Sequence, residues 1–324
     1  MVARSIIARA PTRFDFGGGW TDVPPYPEER GGFVCNIAIE RRATVRMRDI
    51  EPHAVGTSND ALIVAACAHA AVTDAHVTLT SNFPFGAGLG GSSAAGVALA
   101  AALAHWKGES RTPSELAESS RFVETHGLQM AGGFQDHYAA AFGGALGLTF
   151  EDRVHVRQLA LTDATIAALE TRGLLLYTGE SRISGETITA VLDAYNDGSS
   201  QVMRSLEHMK RLALSMAHAL ENGDIDTLGS LVGEHWEHQR ALHLRISTPR
   251  IDAIAESAYS AGALGLKALG ASGGGCVLVI ASNDNAHRVA EAIAPYGDLL
   301  EWSVARTGVE VRDDLPLPLS DVSG

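Results

Sequence analysis

The rhythm of apolar and polar positions changes near the middle of the chain. Before about residue 150, short β-prone runs at 5–9, 33–39, 44–48 and 76–80 alternate with glycine-rich turns, notably 17–27 and 127–134. Helical patterns interrupt them at 60–71, 94–104 and 114–125. The last of these carries its own start signal, Thr112 followed by Pro113 and by Glu115 three residues on. Beyond a buried strand at 173–178 the pattern lengthens into amphipathic helices at 185–196, 199–221 and 224–242, with Asn222-Gly223 breaking the last two. A helix at 250–263, a strand at 276–281 and a helix at 286–294 complete the order. No internal repeat or low-complexity linker is visible. This order predicts an α+β protein of two packed domains, 1–165 and 166–324.

Composition narrows the field. The 324 residues are 46% apolar and 19% charged, as in an ordinary globular protein. A net charge of −13 argues against nucleic-acid or anionic-membrane surfaces, although local loops and a bound cation can still admit an anionic ligand. Cys35, Cys67 and Cys276 lie far apart and form no CxxC, so neither a disulfide framework nor a structural zinc site is expected. The apolar run at 94–104 falls short of the roughly 20 residues that span a bilayer. Residues 1–9 lack a long apolar region, so no leader is expected and the cytoplasm is the expected compartment.

The segment 84–95, Pro-Phe-Gly-Ala-Gly-Leu-Gly-Gly-Ser-Ser-Ala-Ala, concentrates the candidate chemistry. Gly86, Gly88, Gly90 and Gly91 let backbone N–H groups converge around Leu89, and the alanine-rich helix that follows adds its dipole. Ser92 and Ser93 occupy the expected N-cap. Such a loop is a phosphate cradle, though taken alone it also reads as a flexible turn before a buried helix. It is no Walker A loop, because no Gly-Lys-Ser/Thr follows.

Two further glycine clusters, 17–22 (Gly-Gly-Gly-Trp-Thr-Asp) and 270–275 (Gly-Ala-Ser-Gly-Gly-Gly), flank this loop in sequence order. Ala10-Pro-Thr-Arg13 precedes the first, and Gly132-Gly-Phe-Gln-Asp136 lies between. From about residue 6 to 280 this ordered set resembles the GHMP small-molecule kinases. Tyr177-Thr-Gly-Glu-Ser-Arg182 and the segment 262–275 look like D-glycero-D-manno-heptose 7-phosphate kinases, whereas Gly18-Gly-Trp-Thr-Asp22 looks like the kinase domain of L-fucokinases. The family has a glycine where this chain has Ser272.

The resemblance implies an N-terminal nucleotide-binding domain, a C-terminal ferredoxin-like domain and an ATP- and Mg²⁺-dependent sugar 1-kinase. It implies that Gly86, Gly88, Leu89, Gly90, Gly91, Ser92 and Ser93 hold the ATP phosphates, and that Ser92 and Glu124 hold Mg²⁺. Asp136 is implied as the catalytic carboxylate, with Arg13 beside it. A carboxylate held by an arginine is a weak base, suited to orienting a hydroxyl and taking its proton late. Trp20, Thr21, Asp22, Arg182, Gly273 and Gly274 are implied around the substrate. Read without the family, Glu124 is a solvated helix-end acid, Asp136 a helix cap, and Thr21-Asp22 an Asx turn.

A heptose 7-phosphate would need cations for its second phosphate, and Arg182, Lys267, Arg41 and Arg42 are the candidates. That acceptor is favoured, with an unphosphorylated sugar as the L-fucokinase-like alternative. A diphosphomevalonate decarboxylase-like enzyme and an inactive sugar sensor are the rivals from other classes. His235 and His238 are expected on a solvated helix face, His126 and His137 as structural, and Cys276 as a core thiol. The expected partners are ATP/ADP and a sugar or sugar phosphate, with neither nucleic acid nor membrane. The sequence sets no oligomeric state, and a homodimer is compatible with it.

Overall fold

The structure, a computed structural model, describes residues 4–49, 60–84, 86–130, 132–180 and 185–314. Two long strands, β1 (Ser5–Gly17) and β2 (Gly32–Asp49), pair antiparallel along nearly their whole length, with a short helix α1 (Tyr26–Arg30) in the connection. The sequence pattern breaks β2 into 33–39 and 44–48 because the polar Glu40-Arg41-Arg42 stretch interrupts it. The ladder shifts register between Pro11 and Thr12 at this point, and the pair bulges instead of ending.

The chain continues through α2 (Ala61–Ala70), β3 (Ala75–Ser81), α3 (Gly91–Trp106) and α4 (Pro113–Phe122). A π-helical turn, Val123–Gly127, extends α4 and is followed by α5 (Gln135–Phe142), β4 (Ala145–Phe150) and β5 (Val154–Gln158). The capping box predicted at Thr112 forms, with Glu115 returning the bond to the Thr112 amide. Helix α3 is buried on almost every face, which explains its run of alanines: small side chains let it lie against β1, β2, α4 and α5.

The second half adds α6 (Asp163–Arg172), β6 (Gly173–Tyr177), α7 (Gly185–Asn196), α8 (Ser200–Glu221), α9 (Ile225–Arg240) and α10 (Pro249–Ala261). It closes with β7 (Ala263–Ala268), β8 (Cys276–Ala281), α11 (Ala286–Ile293), β9 (Asp298–Leu299) and β10 (Glu310–Asp313). Strands β7-β8-β6-β9 form an antiparallel sheet in the ferredoxin-like order. The other sheet runs β10-β1-β2-β4-β5, with β3 also on β2, so the end of the chain returns to β1. An apolar cluster of Phe14, Phe16, Leu89, Met216, Leu228 and Leu278 joins elements of both sheets. Among the described residues no helix is long and apolar enough to cross a membrane.

Candidate active site

Three glycine-rich loops meet above this shared cluster. In the first, Gly86, Gly88 and Gly90 all take positive φ, between 69° and 76°, which an L side chain resists. Gly90 is itself the N-cap of α3, so the expected capping by Ser92 and Ser93 is corrected: both lie within the first helical turn. The physical reason is the left-handed Gly90, which starts the helix without a side-chain acceptor and leaves first-turn N–H groups without an intrahelical partner. The 270–275 loop lies flush on this cradle. A side chain at Gly88 would stand 2.8 Å from the Leu269 carbonyl, and Cys276 donates its N–H to the Ala87 carbonyl at 2.8 Å.

Arg13 and Asp136 come together as expected. From β1, Arg13 directs Nε (2.7 Å) and a terminal nitrogen (2.5 Å) at the same Asp136 oxygen, Oδ1. Its other terminal nitrogen donates to the Gly88 carbonyl at 2.8 Å, and its amide to Leu89. Asp136 thus keeps Oδ2 clear of the arginine and close to the cradle: a Cβ at Gly90 would lie 3.0 Å from that atom. Two residues along the same strand, the buried Asp15 forms an ion pair with the buried Lys267 of β7. The result is an alternating ladder, Lys267, Asp15, Arg13, Asp136, that crosses from one sheet to the other. Burial opposes charge on Arg13, and the Asp136 and Asp15 carboxylates override it and raise the guanidinium pKa.

The third loop, 17–25, carries Asp22. This carboxylate is 1% exposed, and Oδ2 accepts the Gln135 N–H at 3.0 Å, one residue from Asp136. A side chain at Gly133 would overlap it, so this glycine before α5 makes room for the acid. Burial, with the Asp136 and Asp15 charges adding to it, pushes Asp22 up to about 7 against the Gln135 N–H. Thr21 spends its hydroxyl on the Gly18 carbonyl of the loop and the Phe33 carbonyl of β2. Trp20 is 8% exposed, takes φ 79°, and packs with Tyr26, Tyr195 and Trp236; its indole N–H is buried without a partner.

Several expectations change. The hydroxyl that reaches Glu124 is that of Ser93 (3.4 Å to Oε2), while Ser92 is exposed. Glu124 also meets His137 at 3.2 Å, and His137 bonds Ser120 through its other nitrogen. Burial opposes the Glu124 charge, but these two partners hold its pKa below the ordinary value. Lys267, expected as a free cation, is committed to Asp15. Arg41 is committed to the Glu301 and Asn82 carbonyls, and Arg42 to Glu40. Arg182 lies outside the described residues.

Gly273 donates to the Ile246 carbonyl, and Gly274 lies against Glu180. Ser272 takes φ 65°, the conformation a glycine would adopt, with its hydroxyl accepting from Gln239 at 3.0 Å. His235, expected in solvent, is fully buried and accepts the Gly18 N–H. The sequence reading missed Asp15, Gln135 and this role of His235. The signal for Asp15 is its place two residues beyond Arg13 on one strand face. For His235 it is the spacing Leu228, Val232, His235, Gln239, which puts it on the apolar stripe of α9.

Comparison with known proteins fits this geometry. The family model of the GHMP kinases N terminal domain matches residues 59–144, and that of the GHMP kinases C terminal matches 216–298, together just over half of the chain. The chain belongs to the GHMP kinases. It is 28% identical over 332 residues to the L-fucokinase/L-fucose-1-P guanylyltransferase of Bacteroides fragilis, covering 86% of this chain and 35% of that protein. The chain therefore spans about a third of the length of that bifunctional relative. It is 29% identical over 236 residues to the D-glycero-alpha-D-manno-heptose 7-phosphate kinase of Campylobacter jejuni, covering 71% of this chain and 68% of the relative. A solved structure described as a D-glycero-D-manno-heptose 1-phosphate kinase from Bacteriodes thetaiotaomicron shares the fold, with TM-score 0.76, 22% identity and coverage of 95% and 98%. Within this GHMP kinase fold the cradle, Glu124 and Asp136 lie inside the matched N-terminal span, whereas Arg13, Asp15 and Asp22 precede it.

Proposed function

We propose that the chain is an ATP-dependent kinase that transfers the γ-phosphoryl group to the anomeric hydroxyl of a sugar. The observation that carries this reading is Asp136: its Oδ1 is held by Arg13 and its Oδ2 borders the phosphate cradle. Phosphoryl transfer requires positioning and charge neutralisation more than covalent chemistry, and these residues supply both. First-turn N–H groups of α3 would bind the phosphates. Asp22 would accept hydroxyl protons from the sugar, and Asp136 Oδ2 would orient the reacting hydroxyl and take its proton. Arg13 keeps that carboxylate in place and ties it to the Gly88 carbonyl.

The hydroxyl and carboxylate oxygens of Ser92, Ser93 and Glu124 are hard donors that suit Mg²⁺. No group of three or more His, Cys, Asp or Glu side chains able to cage a metal occurs among the described residues. A magnesium ion here would complete its shell with phosphate oxygens and water, supplying charge neutralisation at the transferred group.

For the acceptor, the commitments of Lys267, Arg41 and Arg42 support an unphosphorylated sugar. The heptose 7-phosphate reading would rest on Arg182. A panel measuring ATP consumption with L-fucose, other free sugars, D-glycero-D-manno-heptose 7-phosphate and mevalonate separates these readings. Turnover on a free sugar is expected; turnover on the heptose phosphate alone reverses the acceptor assignment, and none on any sugar refutes the sugar-kinase reading.

A further inference from the structure

The loop that carries Asp22 is anchored from outside by a residue with no part in the chemistry above. His235, on α9, accepts the Gly18 N–H at Nε2 over 2.9 Å, and both groups are buried. A backbone N–H can only donate, so Nε2 bears a lone pair and the ring proton sits on Nδ1. The ring is therefore neutral, in keeping with burial and the nearby Lys267 charge, which lower its basicity well below the ordinary value. It packs against Gly17, where an added Cβ would stand 3.0 Å from Cδ2 and 2.6 Å from Met216 Sδ.

From Gly18 the contacts run on without a gap. Gly18 holds φ 86°, and its carbonyl accepts both the Thr21 N–H (3.0 Å) and the Thr21 hydroxyl (2.7 Å). The next residue is Asp22, whose carboxylate is fixed at its far side by the Gln135 N–H. The Asp22 carboxylate is thus held from α9 and α5, with Thr21 also braced on β2 by the Phe33 carbonyl (3.1 Å) and N–H (3.2 Å). Nδ1 of His235 is buried without a partner, an unsatisfied donor retained at this position.

We propose that His235 is a positioning residue for the acceptor: as a neutral imidazole it fixes the Gly18 amide and, through Thr21, the Asp22 carboxylate. This rests on the reading of 17–25 as the acceptor loop. The test compares the full-length protein with His235→Gln and His235→Leu. Glutamine carries Oε1 as many bonds from Cα as Nε2 and restores an acceptor, whereas leucine leaves the buried Gly18 N–H unpaired.

Hydrogen exchange of the 17–25 segment should rise about tenfold or more in His235→Leu and stay near wild type in His235→Gln. With ATP and the accepted sugar, the sugar KM should rise about tenfold in His235→Leu while kcat and the ATP KM change little, and glutamine should recover it. Wild-type exchange in the leucine variant, or a glutamine variant no better than leucine, overturns the proposal. So does a ¹⁵N histidine spectrum of the wild type with the proton on Nε2, a measurement that needs no variant to fold. If no sugar turns over, the kinase reading fails, and the exchange and tautomer results still decide the role of His235.

Discussion

The phosphate cradle and the acceptor loop are both built from glycine, yet they are held in different ways. The cradle is turned by its own glycines, through positive φ at Gly86, Gly88 and Gly90, and Gly90 starts α3 without a side-chain cap, while Cys276 and Arg13 brace its Ala87, Gly88 and Leu89 carbonyls. The acceptor loop also turns on its own backbone, at Gly18 and Trp20, but its side-chain anchors lie far away in sequence. His235 holds Gly18, Gln135 holds Asp22, and Lys267 holds Asp15 at the end of the strand that leads into the loop. Donor-side curvature is set by local glycines and braced by Arg13 and Cys276, whereas the Asp22 carboxylate is placed by contacts from α5 and α9.

The sharpest way to break that contrast is to cut the ladder between the sheets. Lys267→Met leaves Asp15 buried and unpaired, and should cost about 3–5 kcal/mol in urea unfolding. Asp15→Asn with Lys267→Met removes both charges and should regain most of that loss. A single variant as stable as wild type would mean the sheets pack without the pair. On the donor side, Gly90→Ala forces a side chain into the left-handed region, at about 1–2 kcal/mol, and against the Asp136 carboxylate. Its kcat should fall about tenfold or more while the 17–25 segment keeps wild-type hydrogen exchange. An equal disturbance of both loops would erase the distinction.

A smaller effect reads the acceptor side by pH. Asp22 accepts sugar hydroxyls at both oxygens only when ionised, and its carboxyl is raised to about 7. The kcat/KM for the sugar should rise with pH through about 7 and level above it, a limb that Asp22→Asn abolishes. Stability moves the opposite way. A carboxyl raised in the folded state favours folding fully below its unfolded value of 3.8, and that contribution is lost as pH rises through about 7. Asp22→Asn should therefore gain stability relative to wild type at pH 8, and less so at pH 5. A flat profile for the wild type would show that Asp22 does not titrate in the site.

The same contrast explains what could be read from the sequence. Helices α8 and α9 and the Asn222-Gly223 break between them, the Thr112 capping box, and the meeting of Arg13 with Asp136 follow from local pattern or from motif resemblance. The full length of β1 and β2 does not, because their continuity is carried by cross-strand pairing through bulges and through the polar Glu40–Arg42 stretch. Nor do the partners of Lys267, Arg41 and Arg42, whose charges look free in one dimension and are committed in three. His235 was misplaced because neighbouring Glu234, Glu237 and His238 colour the segment polar, although its helical spacing puts it on the buried stripe.

The most direct test of the account is the rate of phosphoryl transfer from ATP to the accepted sugar in wild type and Asp136→Ala, with nucleotide binding measured beside it. The account predicts a loss of about 10²–10⁴-fold in kcat with nucleotide affinity retained, because Asp136 acts on the acceptor hydroxyl and not on the cradle. Full activity in Asp136→Ala would contradict it.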